Sequence, residues 1–128
     1  MTILIWALFI ATILPFLAKV PVAYAMNKLG GYDNNHPRAQ QNQLTGFGAR
    51  ALAAHQNAFE SLIIFSAAIL CALATNTVTE SVQALAITHV CARIIYNILY
   101  LTNSGTFRSV VWFISLGSSL TIILQCLP

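Results

Sequence analysis

Ionisable side chains occur inside strongly apolar segments of this sequence, where charged groups are costly and usually mark function. The first of them lie in the segment RALAAHQNAFE, residues 50–60. At about 100° per residue, Arg50, Asn57 and Glu60 share one narrow stripe of a helix, whereas His55 projects to nearly the opposite side. The stripe combines a cation, an amide and a carboxylate, which suits hydrogen bonding to a small polar ligand.

Two later apolar segments carry the same kind of polar face. In the first, residues 82–101, helical periodicity groups His89, Arg93, Tyr96, Asn97 and Tyr100. In the second, residues 107–127, an i, i+4, i+7 pattern groups Arg108, Trp112, Ser115 and Ser119. Three helices therefore each present a polar face.

The depths of two opposite charges in these helices agree. Glu60 lies ten positions after Arg50, and Arg93 lies eight positions before Leu101. At a rise of 1.5 Å per residue, both lie roughly 12 to 15 Å along their helices from the same boundary. An ion pair between Glu60 and Arg93 would reduce the cost of burying either charge, and we predict that it forms.

A pocket built from these faces would suit a small zwitterionic ligand with several carboxylates. The arginines offer positive charge to carboxylates, Glu60 can receive an ammonium group, and the remaining polar groups add directional hydrogen bonds. An arginine near a thiol would also stabilise the thiolate, which is the nucleophilic form.

The same residues also fit roles that need no ligand. Glu60 and Arg93 could form a purely structural ion pair. His55 fits either helix packing or a contact with a neighbouring subunit, because polar side chains also join membrane helices. His89 is expected to hydrogen-bond between helices.

The elements that position these residues are membrane helices. The chain is 58% hydrophobic and only 7% charged, too little charge to cover a water-facing surface. Apolar stretches of about the length that spans a bilayer occupy residues 3–24, 51–75, 82–101 and 107–127. We therefore predict an all-α integral membrane four-helix bundle, with residues 1–128 forming a single domain. Pro15 and Pro21 should kink or terminate the first helix.

The first span is expected to be retained, because a signal peptide has a basic region before its apolar stretch and here the lysines follow it. Positive charge lies in the long loop over residues 25–49, at Arg50 and at Arg108, whereas the connection over residues 76–80 has none. The positive-inside rule makes the basic side cytoplasmic and places both termini on the non-cytoplasmic side.

The six basic residues are too dispersed for binding to nucleic acid, despite a net charge of +3. The three cysteines, an odd number, each lie in an apolar run and are interpreted as small buried hydrophobic residues without metal-ligand spacing: Cys71, Cys91 and Cys126.

The segment RALAAHQNAFE, followed by ARIIYNILY and then FRSVVW, resembles the MAPEG superfamily, the membrane-associated proteins in eicosanoid and glutathione metabolism. The resemblance covers essentially the whole chain and is closest to the bacterial branch. It implies a homotrimer in the bacterial inner membrane, with glutathione as co-substrate bound between neighbouring subunits near the cytoplasmic side.

Residue by residue, the resemblance implies ligand roles for most of the polar positions. The positions that match its glutathione-binding residues are Arg50, His55, Asn57, Glu60, Arg93, Tyr96, Tyr100 and Ser109. Arg108 matches the arginine that activates the glutathione thiol, and is the implied catalytic residue.

This chain departs from the family pattern at three positions. Ala53 and Gln56 stand where family enzymes often carry arginines, so glutathione binding should be weaker. Trp112 stands where the prostaglandin-forming member has a tyrosine, and it cannot donate a phenol proton. Eicosanoid synthesis is therefore not expected.

We accordingly predict a glutathione-dependent membrane transferase or peroxidase that acts on lipophilic electrophiles entering from the lipid. Two alternatives remain open. One is a non-catalytic membrane binding or scaffold protein of the same fold. The other is a small proton-coupled multidrug exporter, which would need an acid that no arginine compensates, whereas Glu60 is expected to have arginines at similar depth.

Overall fold

The computed structural model describes residues 1–128 and consists of helices without any β-strand. The helices are α1 (Thr2–Asn27), α2 (Pro37–Gln41), α3 (Gly46–Ala74), α4 (Glu80–Leu101) and α5 (Gly105–Gln125). All except α2 are long and apolar enough to cross a membrane. The predicted all-α membrane bundle of four spans is therefore confirmed.

Helix α1 continues through both of its prolines. Pro15 and Pro21 lie inside the helix, which runs on to Asn27, so of the two expected effects, a kink or an end, the structure excludes the end. A proline lacks the backbone N–H and so deletes one intrahelical hydrogen bond, a loss that neighbouring helices make tolerable in a membrane. Helix α3 packs against this stretch of α1, where His55 Nδ1 lies 2.8 Å from the Pro15 carbonyl oxygen.

The connection between α1 and α3 is shorter and more ordered than the predicted loop, because α3 begins at Gly46 and α2 lies within the connection. Gln40 organises this segment: its Nε2 donates to the carbonyl oxygens of Met26 at 3.2 Å and Gly31 at 2.6 Å, and its Oε1 accepts from the Asp33 N–H. The His36 N–H donates to Asp33 Oδ1 and lowers the pKa of that carboxyl.

Two apolar clusters lie at opposite ends of the bundle. The larger one gathers the start of α1, the end of α3, the start of α4 and the end of α5, with Phe65, Ile69 and Ile122 fully buried. The smaller one joins Val22 and Met26 of α1 to Ala51 of α3. Polar side chains occupy the level between them, where they form the site described below.

Large apolar side chains also cover the outside of all four long helices. Exposed examples are Trp6, Phe16, Ile63, Ile98 and Phe113. Side chains of this kind are stable against lipid or another subunit and unstable against water, which agrees with the four apolar spans.

Candidate functional site

A polar cavity of about 110 Å³ lies inside the bundle, between α3, α4 and α5. Seven of its ten lining residues are polar or charged. They are Asn57, Glu60 and Ser61 of α3, His89 and Arg93 of α4, and Ser115 and Ser119 of α5. The three polar faces recognised in the sequence therefore converge on one cavity.

The predicted ion pair between Glu60 and Arg93 is not formed, because Asn57 lies between the two charges. Arg93 Nη2 donates to Asn57 Oδ1 at 2.7 Å and to the Asn57 carbonyl oxygen at 3.3 Å. Asn57 Nδ2 in turn donates to Glu60 Oε2 at 2.9 Å. The amide thus links the guanidinium to the carboxylate, and the chain's only contact within ion-pair distance lies in the loop, where His36 Nδ1 is 3.7 Å from Asp33 Oδ2.

Arg93 and Arg108 are connected by two tyrosines whose rings are in contact. The Arg93 guanidinium lies 4.1 Å from the centroid of the Tyr96 ring, and the Arg108 guanidinium lies 4.0 Å from that of Tyr100. The two rings meet edge to face at 5.6 Å. Each of the two cations therefore lies over the face of one tyrosine ring, and neither pairs directly with a carboxylate.

Arg108 opens onto a second and shallower cavity of about 370 Å³ at the surface of the bundle. Its other lining residues are Tyr96, Tyr100, Ser109, Trp112 and Phe113. Trp112 lines both cavities, so the buried polar level and the Arg108 pocket are adjacent. The exposed Phe113 side chain places the rim of this pocket on the apolar outer surface.

His89 forms the floor of the inner cavity and confirms the expectation of an interhelical hydrogen bond. Its Nδ1 lies 2.9 Å from the Ser115 carbonyl oxygen and 3.0 Å from Ser119 Oγ, which ties α4 to α5. Its ring stacks on Phe65 of α3 at 3.9 Å, with an angle of 2° between the planes. The residue therefore has a fixed position among three helices.

Five of the eight residues expected to bind the ligand do not line the inner cavity: Arg50, His55, Tyr96, Tyr100 and Ser109. Of these five, both tyrosines and Ser109 line the Arg108 pocket. His55 is buried on the other face of α3, against Pro15 and Phe59, so the structure places it in helix packing. Arg50 lines neither cavity, and its Nε is buried without a hydrogen-bond partner. Ser109 lines the Arg108 pocket, but its hydroxyl donates to the Gly105 carbonyl oxygen.

Ser61 lines the inner cavity although the sequence interpretation did not single it out. Its Oγ lies 3.5 Å from His89 Nε2. The signal was present, since Ser61 follows Asn57 by one helical turn at i+4 and so falls on the same face.

This arrangement has two chemical capacities. The Arg108 pocket presents a guanidinium that no carboxylate neutralises, next to an apolar rim, and such a group stabilises a developing anion. The inner cavity offers the Arg93 guanidinium, the Glu60 carboxylate and the Asn57 amide, which are joined by hydrogen bonds. Together these groups can bind a ligand that carries a positive and a negative charge.

Comparison with protein families gives one match, to the model described as the MAPEG family, over residues 3–128. Searches of curated proteins and of solved structures give no match.

Proposed function

The chain belongs to the MAPEG family, and from this premise we propose that it is a glutathione-dependent membrane transferase or peroxidase acting on lipophilic electrophiles. Arg108 is the proposed catalytic residue and glutathione the co-substrate. The family places this membrane protein in the superfamily of glutathione and eicosanoid metabolism.

The observation that carries the proposal is the environment of Arg108. Its guanidinium is held over the Tyr100 ring, and no carboxylate lies within ion-pair distance. Its positive charge therefore stays available to stabilise a thiolate, which raises the fraction of the nucleophilic form at neutral pH. The exposed Phe113 at the rim offers a path by which an apolar electrophile reaches the same pocket from lipid.

Glutathione itself would be held by the polar side chains that line the Arg108 pocket and the adjacent inner cavity. Tyr96 and Tyr100 line the pocket between the two arginines, Arg93 provides a cation for a carboxylate, and Glu60 provides a carboxylate for the ammonium group. Glu60 is exposed on this chain and carries only the Asn57 hydrogen bond, which leaves one oxygen for a ligand.

We propose that the site is completed in a homotrimer, with glutathione between neighbouring subunits. The large apolar side chains exposed on the helices, such as Ile63 and Phe113, support this assembly, because another subunit could cover part of them. The proposed location is the bacterial inner membrane, with the Arg108 end of the bundle toward the cytoplasm.

The direct test is turnover by the purified, detergent-solubilised protein. Wild type should conjugate glutathione to a lipophilic aryl halide, and titration calorimetry should detect glutathione binding. Arg108→Ala should lower kcat by roughly 100- to 1000-fold, the range for loss of one anion-stabilising donor, with a much smaller change in glutathione affinity. Arg38→Ala is the matched control, because Arg38 is exposed in the loop and bonds only to Gln41.

Equal turnover by wild type and Arg108→Ala would refute the catalytic role. A folded protein that binds glutathione but turns over no electrophile would instead identify the non-catalytic binding protein.

One observation favours the exporter as a second candidate. The sequence argument against it was that arginines compensate Glu60, but the structure gives Glu60 an amide partner and no direct ion pair. An acid without a direct cation partner is what proton-coupled export of a cation needs. Cells that express the protein should then survive cationic dyes better, and Glu60→Gln should abolish that protection. Equal survival with and without the protein would remove this candidate.

A further inference from the structure

The orientation of His89 leaves one ring nitrogen directed at the inner cavity. The Ser115 carbonyl oxygen, 2.9 Å from Nδ1, can only accept a hydrogen bond, so Nδ1 carries the proton. In the neutral ring, Nε2 is then an acceptor, and its nearest partner is Ser61 Oγ at 3.5 Å. That distance is too long for a normal hydrogen bond, so the Nε2 lone pair is largely unused within the protein.

Arg93 presents the complementary donors to the same cavity. The side chain is only 3% exposed, and its guanidinium bonds to the protein through Nη2 alone. A guanidinium carries five N–H donors, so several of them have no protein acceptor. A buried charged group with unused donors therefore shares a cavity with a buried acceptor, His89 Nε2, that has no donor at normal distance.

The volume and lining of the cavity match one kind of occupant. The cavity measures about 110 Å³, whereas a single water needs roughly 10 to 15 Å³ and two to four polar partners. Only Ile64, Trp112 and Leu116 among the lining residues are hydrophobic, which does not suit a lipid chain. Ser115 and Ser119, both buried, add hydroxyl oxygens at the floor.

We propose that this cavity is a site for an ordered cluster of internal water molecules that bridges Arg93 to His89. Water oxygen accepts from the free guanidinium N–H groups, and water hydrogen donates to His89 Nε2 and to the serine hydroxyls. The cluster supplies the hydrogen bonds that Arg93 lacks within the protein, and so solvates its charge at membrane depth. The proposal applies to the protein without bound glutathione, because the Arg93 guanidinium is also the cation proposed to bind a glutathione carboxylate.

The first test is a structure of the full chain in lipid nanodiscs at a resolution that shows water. We expect separate peaks within hydrogen-bond distance of His89 Nε2 and of the Arg93 guanidinium. A cavity without peaks would overturn the proposal, and so would continuous density from a lipid chain or another bound molecule.

The second test is ¹⁵N NMR of the histidine rings. In wild type, His89 should show a protonated Nδ1 and a hydrogen-bonded, unprotonated Nε2. Ser61→Val combined with Ser119→Val should displace water and move the Nε2 signal toward that of a bare imine nitrogen. Ser118→Val is the matched control, because Ser118 is buried on α5, bonds to Ile114 and does not line the cavity.

The wild-type spectrum alone can contradict the proposal, whether or not the double variant folds. A proton on Nε2, or an Nε2 signal typical of a bare nitrogen, would show that no water donates to His89. An equal shift in the Ser118→Val control would likewise overturn it, because the shift would then reflect general repacking of α5.

Discussion

Asn57 occupies the position that decides how the buried Arg93 and the exposed Glu60 interact. The sequence placed Asn57, Glu60 and Arg93 at one level, but it could not show that the amide would stand between the charges. The i, i+3 hydrogen bond from Asn57 to Glu60 is local to α3, whereas the reach of the guanidinium depends on how closely α4 packs. Periodicity gives the face of a residue, and tertiary packing gives its partner.

The energy of interaction with Arg93 should therefore be larger for the Asn57 amide than for the Glu60 carboxylate. In double-mutant cycles on unfolding, Asn57→Ala with Arg93→Met should give a coupling of about 1–2 kcal/mol, the upper range for polar contacts between membrane helices. Glu60→Gln with Arg93→Met should give a smaller value, because no direct bond joins those side chains. A larger coupling for the Glu60 pair would contradict the bridging role. Gln56→Ala with Arg93→Met provides the baseline coupling energy, because Gln56 is an exposed neighbour of Asn57.

Tyr100 should act on Arg108 through its ring and not through its hydroxyl. The cation–π contact at 4.0 Å is worth about 0.5–2 kcal/mol. Tyr100→Leu should therefore lower kcat for conjugation by roughly 2- to 30-fold, whereas Tyr100→Phe should keep nearly the wild-type kcat. If the hydroxyl binds glutathione instead, Tyr100→Phe will raise KM for glutathione as much as Tyr100→Leu does. Steady-state kinetics with both variants separates the two roles.

The four long helices could be predicted from the sequence because their apolar length leaves few alternatives. The ends of these helices were predicted less accurately, since α3 begins at Gly46, before the predicted start at residue 51. The short helix α2 was not predicted. Both errors lie in the polar loop, where hydrophobic periodicity gives no signal and side-chain hydrogen bonds decide the path. The sequence also left open whether Pro15 kinks or ends α1. The contact that Pro15 makes with His55 comes from another helix, so the local sequence gives no sign of it.

Gln40 should control the order of the connection between α1 and α3. Its three hydrogen bonds join α2 to the end of α1 and to the turn before α2. Gln40→Ala removes the donor to the Gly31 carbonyl oxygen and the acceptor of the Asp33 N–H, at a local cost of roughly 1–3 kcal/mol, whereas the Met26 carbonyl oxygen still accepts from the Leu29 N–H. We expect limited proteolysis within residues 28–45 to become faster by about tenfold, while the membrane helices stay protected.

Gln43→Ala is the matched control for this loop, because the Gln43 side chain is exposed and makes no hydrogen bond. Equal cleavage rates in the two variants would show that Gln40 does not hold the segment.

At the scale of the whole molecule, the polar level lies between two apolar clusters, and this layering explains which site residues could be predicted. Residues that line one of the two cavities, such as Asn57, Arg93 and Arg108, could be predicted from the spacing of polar residues within each span. His55 could not, because it bonds to the carbonyl oxygen of Pro15 on α1, which no periodicity reveals. The burial of Arg50 Nε without a hydrogen-bond partner likewise depends on how the helices pack.

The orientation of the bundle is the remaining property that the charges predict. Lys28 and Arg38 lie between α1 and α3 and Arg108 opens α5, whereas the turn between α3 and α4 has no lysine or arginine. The positive-inside rule then places both termini on the non-cytoplasmic side. Alkaline phosphatase fused to either terminus should be active in a bacterial host, and green fluorescent protein at the same places should be dark. Fusions within residues 76–79 should behave like the terminal ones, because that turn lies at the same end of the bundle. Bright fluorescence at a terminus would reverse the orientation and would put Arg108 at the face away from cytoplasmic glutathione.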